Sequence, residues 1–154
     1  MKEAIADLLI GIPLFRVFKT DELIIISEFM NLIKASKGKI LFQEGDKGDY
    51  ICFVIDGRFD VIKRTMTENK IILNTLSRGR SFGEMAIIED SPRSATVKAR
   101  TKASLITLTR KDFDLIMEDH PKIGVKILKG ICLILNKKLR TASSRLAGYM
   151  QTNR

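Results

Sequence analysis

Residues 82–97 read FGEMAIIEDSPRSATV, and this stretch says most about how the chain folds and what it binds. Gly83 and Glu84 stand where a short helix is predicted to begin, and Arg93 follows a proline on a loop that enters a predicted strand. Glycine lets a ligand approach the backbone closely because it has no Cβ. The N–H groups of residues 84–86 and the helix dipole favour an anion, and an arginine adds charge-assisted hydrogen bonds to phosphate oxygens.

A carboxylate beside an anion site needs its own explanation. Glu84 can accept hydrogen bonds from sugar hydroxyls, and a carboxylate next to a phosphate makes sense mainly when such a hydroxyl lies between them. The stretch therefore predicts a site for a phosphorylated sugar. The alternative is structural: Ser81 and Glu84 also fit a capping box, and Arg93 could be an ordinary solvated turn residue.

The chain on both sides of this stretch, from Ala35 to Leu108, carries the pattern of short strands separated by turns. Asp56 and Gly57 give a hairpin signal, and residues 67–70 form another predicted turn. Many short strands at regular spacing favour a rolled or closed antiparallel sheet. The predicted strands are residues 39–43, 50–55, 59–63, 71–76, 95–99 and 104–108.

The two ends of the chain are predicted to be helical. Thr20 offers an N-cap, and apolar residues at helical spacing extend that helix to Ile33. Thr109 begins a short helix that stops before Pro121, and this proline suits the first position of a long final helix. Seven apolar residues in that helix alternate by four and three, a heptad seam that predicts a parallel homodimer, although the stripe could instead cover the sheet. They are Leu128, Cys132, Leu135, Leu139, Ala142, Leu146 and Tyr149.

Composition sets further bounds. The 154 residues, 45% of them hydrophobic, suit one domain with a substantial core. The net charge of +9 is spread along the chain, which favours a solvated surface over a nucleic-acid site. Cys52 and Cys132 lie in apolar runs and are interpreted as buried hydrophobes, and a single histidine, His120, leaves no metal-ligand set. No segment is predicted to cross a membrane or to direct secretion, so we expect a cytoplasmic protein.

The ordered set Phe82-Gly83-Glu84, Ala86, Pro92-Arg93 and Ala95-Thr96-Val97 resembles the phosphate-binding cassette of cyclic-nucleotide-binding domains, the module of kinase regulatory subunits, cyclic-nucleotide-gated channels and the bacterial catabolite activator. Residues 45–57, GDKGDYICFVIDG, are similar to a second signature of that family. The resemblance covers residues 12–146. It implies one α+β module in residues 1–154: N-terminal helices (1–34), an antiparallel, jelly-roll-like β-roll (35–108) interrupted by the cassette (82–97), and C-terminal helices (109–150).

The resemblance also implies a set of site residues. Glu84 would bind the ribose 2′-hydroxyl, beside Gly83. The N–H groups of Met85 and Ala86, with Arg93, Ser94 and the adjoining Ala95, would bind the cyclic phosphate. Val61 and Leu73 are expected to line the pocket, although plain core is an equal alternative for them. Thr141, Ser143 and Ser144 are expected to contact the base from the final helix, where an exposed surface role is the alternative.

The function implied is a sensor module for a cyclic nucleotide, cyclic AMP in preference to cyclic GMP, with no other cofactor. Ligand binding would move the final helix and act on a separate effector. The alternatives are a degenerate dimerisation or docking module and a basic nucleic-acid-binding regulator without a DNA-reading domain. No nucleophile, metal cluster or acid–base pair indicates an enzyme. We expect the output to lie outside this chain, in a longer protein or in a partner.

Overall fold

A roll of two four-stranded antiparallel sheets forms the centre of the fold in the computed structural model, which describes residues 2–153. Short helices precede the roll, and a long helix follows it. This arrangement confirms the predicted α+β class with an antiparallel β-roll. The elements are α1 (Lys2–Leu9), a 3-10 turn (Pro13–Val17), α2 (Thr20–Ser27), β1 (Met30–Ala35), β2 (Ile40–Phe42), β3 (Tyr50–Asp56), β4 (Phe59–Arg64), β5 (Lys70–Leu76), β6 (Ser81–Phe82), α3 (Met85–Ile88), β7 (Thr96–Ala99), β8 (Ala103–Thr109), α4 (Arg110–Asp119) and α5 (Pro121–Thr152).

The cassette connects the two sheets. One sheet has the strand order β1-β8-β3-β6 and the other has the order β2-β7-β4-β5. Because β6 belongs to the first sheet and β7 to the second, the residues between them, which include α3, carry the chain across the roll. The candidate site is therefore built at one of the connections that cross between the two sheets.

The central strand β3 divides the apolar interior into two parts. Ile51 and Phe53 face a cluster that includes residues of α1, α2, α4 and α5, whereas Cys52 and Val54 face a second cluster between the two sheets. Successive side chains of a strand point to opposite faces, so a strand covered on both faces must be apolar at every position. The run ICFV at residues 51–54 meets that requirement, and all four residues are buried.

Two local predictions are wrong. The helix predicted to reach Ile33 ends at Ser27, and strand β1 begins at Met30, inside the region predicted to be helical. Residues 30–35 pair one by one with β8, and this long-range pairing outweighs the local helical spacing. The turn at Asp56 and Gly57 is present, with φ of 77° at Gly57, but it does not form a hairpin. It joins β3 to β4, which lie in different sheets.

The predicted starts of the two C-terminal helices are confirmed, and α5 extends to Thr152, two residues beyond the predicted end. Thr109 caps α4 by accepting a hydrogen bond from the Asp112 N–H (3.1 Å), and α5 begins at Pro121. The predicted seam does not form one continuous outer face, because Leu128 and Leu135 pack against the cluster beneath the helices. Cys132 is exposed, contrary to its interpretation as a buried hydrophobe. Between residues 2 and 153, no helix combines the length and the apolar character that a membrane span requires.

Candidate functional site

A cavity of about 810 Å³ lies between the cassette, the β4–β5 hairpin and α5. Ten of the twelve predicted site residues line it, and Ser143 and Ser144 do not. Both of these serines are exposed on α5. The lining therefore unites residues from three separate parts of the chain: Val61, Leu73, Gly83, Glu84, Met85, Ala86, Arg93, Ser94, Ala95 and Thr141.

Arg93 is the buried cation of the cavity, with only 5% of its surface exposed. Its Nη2 donates to the carbonyl oxygen of Tyr50 (2.8 Å), and its guanidinium lies over the Phe42 ring (4.0 Å) and the Tyr50 ring (4.5 Å). Burial raises the pKa of the Tyr50 hydroxyl, so this ring remains neutral beside the cation. The Nε and Nη1 of Arg93 are buried and have no hydrogen-bond partner among the described residues.

Two glycines make the space that Arg93 occupies. A Cβ on Gly48 would lie 2.6 Å from the Arg93 Nε, and a Cβ on Gly83 would lie 2.5 Å from its Nη1. Gly83 also has a φ of 80°, a region that glycine adopts without steric cost. Gly83 therefore leaves room for the Arg93 side chain, in addition to allowing a ligand to approach the backbone closely.

The second signature, residues 45–57, holds the cassette from the other side. The N–H of Arg93 donates to the Asp46 carbonyl (2.7 Å), and the N–H of Gly45 donates to the Arg93 carbonyl (2.8 Å). Together with the contacts of Gly48 and Tyr50, these bonds fix both the backbone and the side chain of the arginine. Sequence reasoning named this signature without assigning it that role.

Glu84 lies at the start of α3 and is 4% exposed. Its Oε1 accepts from the Ser81 hydroxyl (2.9 Å) and from the Nζ of Lys138 on α5. The Ser81 contact runs between side chains, so the capping box considered from the sequence does not form. Lys138 was missed as a site residue because the sequence showed it only as a charged residue beside the heptad seam.

Helix α3 contributes less to anion binding than the sequence predicted. Helix α3 has four residues, and its short run of aligned peptide dipoles gives only a small field. The Ala86 N–H, one of two predicted phosphate donors, already donates to the Gly83 carbonyl (3.2 Å). The positive charge available to an anion here therefore comes from the buried Arg93, and from the exposed residues Arg80, Lys137, Lys138 and Arg145 that also line the cavity.

Arg110, the first residue of α4, is a second residue that sequence reasoning missed. Its Nε donates to the Ala86 carbonyl (2.7 Å), and its Nη2 donates to the Gly48 carbonyl (2.9 Å). These bonds tie the cassette helix and the loop beside Arg93 to the start of the C-terminal helices. No spacing in the sequence indicates this contact, since Arg110 and Gly48 are 62 residues apart.

The outer wall of the cavity is apolar and open to solvent. Leu73 is exposed and Val61 is half-buried, so neither is a plain core residue. Leu135 and Ala142 line the opposite side from α5. The Thr141 hydroxyl lines the cavity and donates to the Lys137 carbonyl within the helix (3.0 Å), which leaves its oxygen able to accept from a ligand.

Comparison with known proteins gives a consistent result. The family described as the cyclic nucleotide-binding domain matches residues 32–120. The chain is 34% identical over 123 residues to a cyclic nucleotide-gated potassium channel of Rhizobium etli, covering 80% of this chain and 33% of the channel. It is 33% identical over 107 residues to the cAMP-dependent protein kinase regulatory subunit of Blastocladiella emersonii, covering 70% and 27% of the two chains. The crystal structure of a cyclic nucleotide-binding domain from Methylobacillus flagellatus superposes with a TM-score of 0.85 at 27% identity, covering 96% and 83%.

Proposed function

The chain belongs to the family of cyclic nucleotide-binding domains, and we propose that it is a sensor module that binds cyclic AMP in preference to cyclic GMP. The ligand would occupy the cavity between the cassette and α5. The chain spans about a third of the channel and about a quarter of the kinase regulatory subunit that it matches. The proposed output is therefore a separate effector or another part of a longer protein. The proposed compartment is the cytoplasm, where an exposed free thiol such as that of Cys132 stays reduced.

The buried guanidinium of Arg93 carries the proposal. A buried charge is costly unless hydrogen-bonded partners compensate it, and Nε and Nη1 of this side chain have none among the described residues. The guanidinium is held in place by the bond from its Nη2 to the Tyr50 carbonyl and by two aromatic rings, in a cavity with mostly apolar walls. A monoanionic cyclic phosphate supplies the charge and the acceptor oxygens that this group requires.

The carboxylate of Glu84 makes the proposed ligand a sugar phosphate rather than a simple anion. It lines the same cavity as Arg93, and a carboxylate would repel an inorganic phosphate. A ribose hydroxyl donating to Glu84 reverses that effect, because it brings a hydrogen-bond donor to the carboxylate while the phosphate lies at the arginine.

Helix α5 gives the proposed sensor its moving part. Leu135, Thr141 and Ala142 line the cavity, so a bound ligand would contact α5 and the cassette together. A ligand shifts the helix between two arrangements only to the extent that its affinity for them differs. We therefore expect nucleotide to change the accessibility of residues 136–152.

Substitution of Arg93 tests the binding site. Arg93→Ala should weaken cyclic AMP binding by roughly 2–4 kcal/mol, because it removes charge-assisted hydrogen bonds in a desolvated pocket. Isothermal titration calorimetry measures the change, and Arg58→Ala is the matched control because Arg58 is exposed and does not line the cavity. Unchanged affinity in a folded Arg93→Ala protein would contradict the proposal.

The same calorimetric assay measures whether the site prefers the adenine or the guanine base. Similar relatives include the cAMP-dependent subunit and a cGMP-dependent protein kinase of Plasmodium berghei, which is 34% identical over 93 residues, so both ligands must be titrated. We expect the smaller Kd for cyclic AMP. A smaller Kd for cyclic GMP would reverse the assignment of the base and leave the phosphate site intact.

A homodimer through α5 is the second part of the proposal. Val125, Cys132, Leu139 and Leu146 are apolar, exposed and spaced by seven residues, and we call them the outer stripe. A strict seven-residue repeat lets two parallel helices place identical residues opposite each other. The outer stripe thus replaces the longer seam predicted from the sequence, two of whose residues pack inward.

The mass of the chain in solution tests the dimer. We expect light scattering to give twice the monomer mass, and Leu139→Lys to give the monomer mass by placing a charge in the stripe. Arg140→Ala is the control, because it changes an exposed residue of the same helix on a different face from the stripe. A monomer at high concentration in the unchanged chain would rule the dimer out.

A further inference from the structure

We propose that one side of α5 is a docking surface for an acidic α-helix of a partner protein. The surface is defined by four exposed cations, which we call the basic row: Lys122, Lys129, Lys137 and Arg140. The basic row shares no residue with the outer stripe. The inference goes beyond the proposed function, because it concerns a protein partner and does not require a bound nucleotide.

The charges of α5 all have the same sign. The helix has 32 residues and contains no aspartate or glutamate, whereas α4 mixes two cations with four carboxylates. Cations three or four positions apart on a helix repel each other, and a carboxylate at that spacing would relieve the repulsion. Among the described residues, only Lys126 and Lys138 of α5 form ion pairs, with Glu22 and Glu84. The cations of α5 are Lys122, Lys126, Lys129, Lys137, Lys138, Arg140 and Arg145.

The basic row follows one side of the helix. An α-helix turns by about 100° per residue, so the four members lie within an arc of about 80°, and at 1.5 Å per residue they extend over about 27 Å. The buried residues Ile127 and Ile131 lie on a different side of the helix, against the core. The row therefore presents a continuous line of positive charge to the solvent, and the chain itself supplies no carboxylate to it among the described residues.

An exposed leucine in the middle of the row indicates the kind of partner. Leu133 lies one helical turn from Lys129 and one from Lys137, and 68% of its surface is exposed. An amphipathic helix with carboxylates three or four positions apart can place an apolar side chain on Leu133 and acidic ones beside the cations. A nucleic-acid backbone offers phosphates but no apolar partner for the leucine, and a bilayer requires a broad apolar face rather than one leucine. An acidic helix therefore fits the row best.

Fluorescence anisotropy with a designed peptide tests the surface in the full chain. The probe is a fluorescein-labelled helix of four heptads, with leucine at positions a and d and glutamate at e and g, whose glutamates prevent it from pairing with itself. We expect it to bind the unchanged chain, and to bind more weakly as salt rises from about 50 to about 300 mM. The double variant Lys122→Glu/Arg140→Glu should weaken binding roughly tenfold, because two attractive charges become repulsive.

A matched double variant separates the row from net charge. Lys39→Glu/Lys98→Glu changes the charge equally at exposed lysines, one beside β2 and one on β7, and should weaken peptide binding less than about twofold. Equal weakening by the two double variants would show that only net charge matters and would overturn the proposal. Leu133→Ala should weaken binding about threefold by removing apolar contact, and unchanged binding would argue against a helix seated on the row.

Other probes test the choice of partner. Duplex DNA, or vesicles with about one-third phosphatidylserine, might be bound through the same row, and tighter binding of either than of the peptide would overturn the assignment to a protein helix. Absence of peptide binding would mean that the row is solvated surface. Neither Lys122 nor Arg140 lines the cavity, so Lys122→Glu/Arg140→Glu should bind cyclic AMP as the unchanged chain does. Failure of nucleotide binding with peptide binding intact would contradict the proposed function alone.

Discussion

The two parts of α5, residues 121–135 and residues 136–152, differ sharply in burial. In residues 121–135, Ile123, Ile127 and Ile131 are buried, and Lys126 bonds Glu22 on α2 (2.8 Å). In residues 136–152 every side chain is exposed, and Leu139 keeps 66% of its surface in water. One continuous helix therefore serves two purposes. Its first part completes the core, and its second part covers a cavity and presents the outer stripe.

The largest expected difference between the two parts is in the free energy of unfolding that is lost when a side chain is truncated. Ile127→Ala should lower the free energy of unfolding by about 2–5 kcal/mol, because it leaves a cavity in a fully buried site. Leu139→Ala is the matched change in the second part, and it should cost less than about 0.5 kcal/mol. Urea unfolding at several protein concentrations measures both changes and removes any contribution from dimer formation. Equal costs at low concentration would mean that both parts belong to the core.

Removal of the second part of α5 tests the same comparison. A protein that ends at Asn136 should lose about 1–3 kcal/mol, because the removed side chains are exposed but Glu84, whose side chain is 6% exposed, loses the Lys138 ammonium that compensates its carboxylate. Its affinity for cyclic nucleotide should fall, since Thr141 and Ala142 no longer line the cavity. Thermal unfolding and calorimetry measure the two effects. Failure of this protein to fold would show that residues 137–152 are structurally required.

The smallest expected effect concerns pH and the first part of α5. The hydrogen bond from Lys126, together with one from the Lys19 backbone, holds the pKa of Glu22 below its ordinary value of 4.5. A carboxyl whose pKa is lowered by folding stabilises the protein above the unfolded pKa, and this contribution is lost as the pH falls through the folded pKa. Glu22→Gln should therefore cost about 0.5 kcal/mol at pH 7, and this cost should disappear as the pH falls through the lowered pKa of Glu22. Urea unfolding from pH 7 to pH 3 measures this difference, and a pH-independent difference would argue against the ion pair.

Sequence alone identified the parts of the site that lie close together in the chain. The stretch from Gly83 to Ala95 was predicted as an anion and sugar site, and the structure gathers these residues around one cavity. Pro121 correctly marked the start of α5, because a proline at the first helical position is a local signal. Such signals need no knowledge of the tertiary structure.

Features that depend on distant residues were not predictable in the same way. The pair between Lys138 and Glu84 joins residues 54 positions apart, and neither residue type indicates the other. Strand β1 was predicted as a helix because its apolar spacing is helical. It pairs instead with β8, the last strand along the chain, and no local signal indicates that partner. The aromatic rings that hold Arg93 come from two strands whose sequences indicate only core.

The crossing of the cassette between the sheets gives the cavity a role in stability. A ligand bound there would contact Ser81 and Phe82 of one sheet and Val61 and Val97 of the other. Separation of the sheets would then require release of the ligand, and binding to the folded chain alone stabilises it by mass action, about 2.7 kcal/mol at a concentration 100 times Kd. Cyclic nucleotide would thus protect the whole roll from unfolding and proteolysis, and its cellular concentration could set the lifetime of the protein as well as its signal.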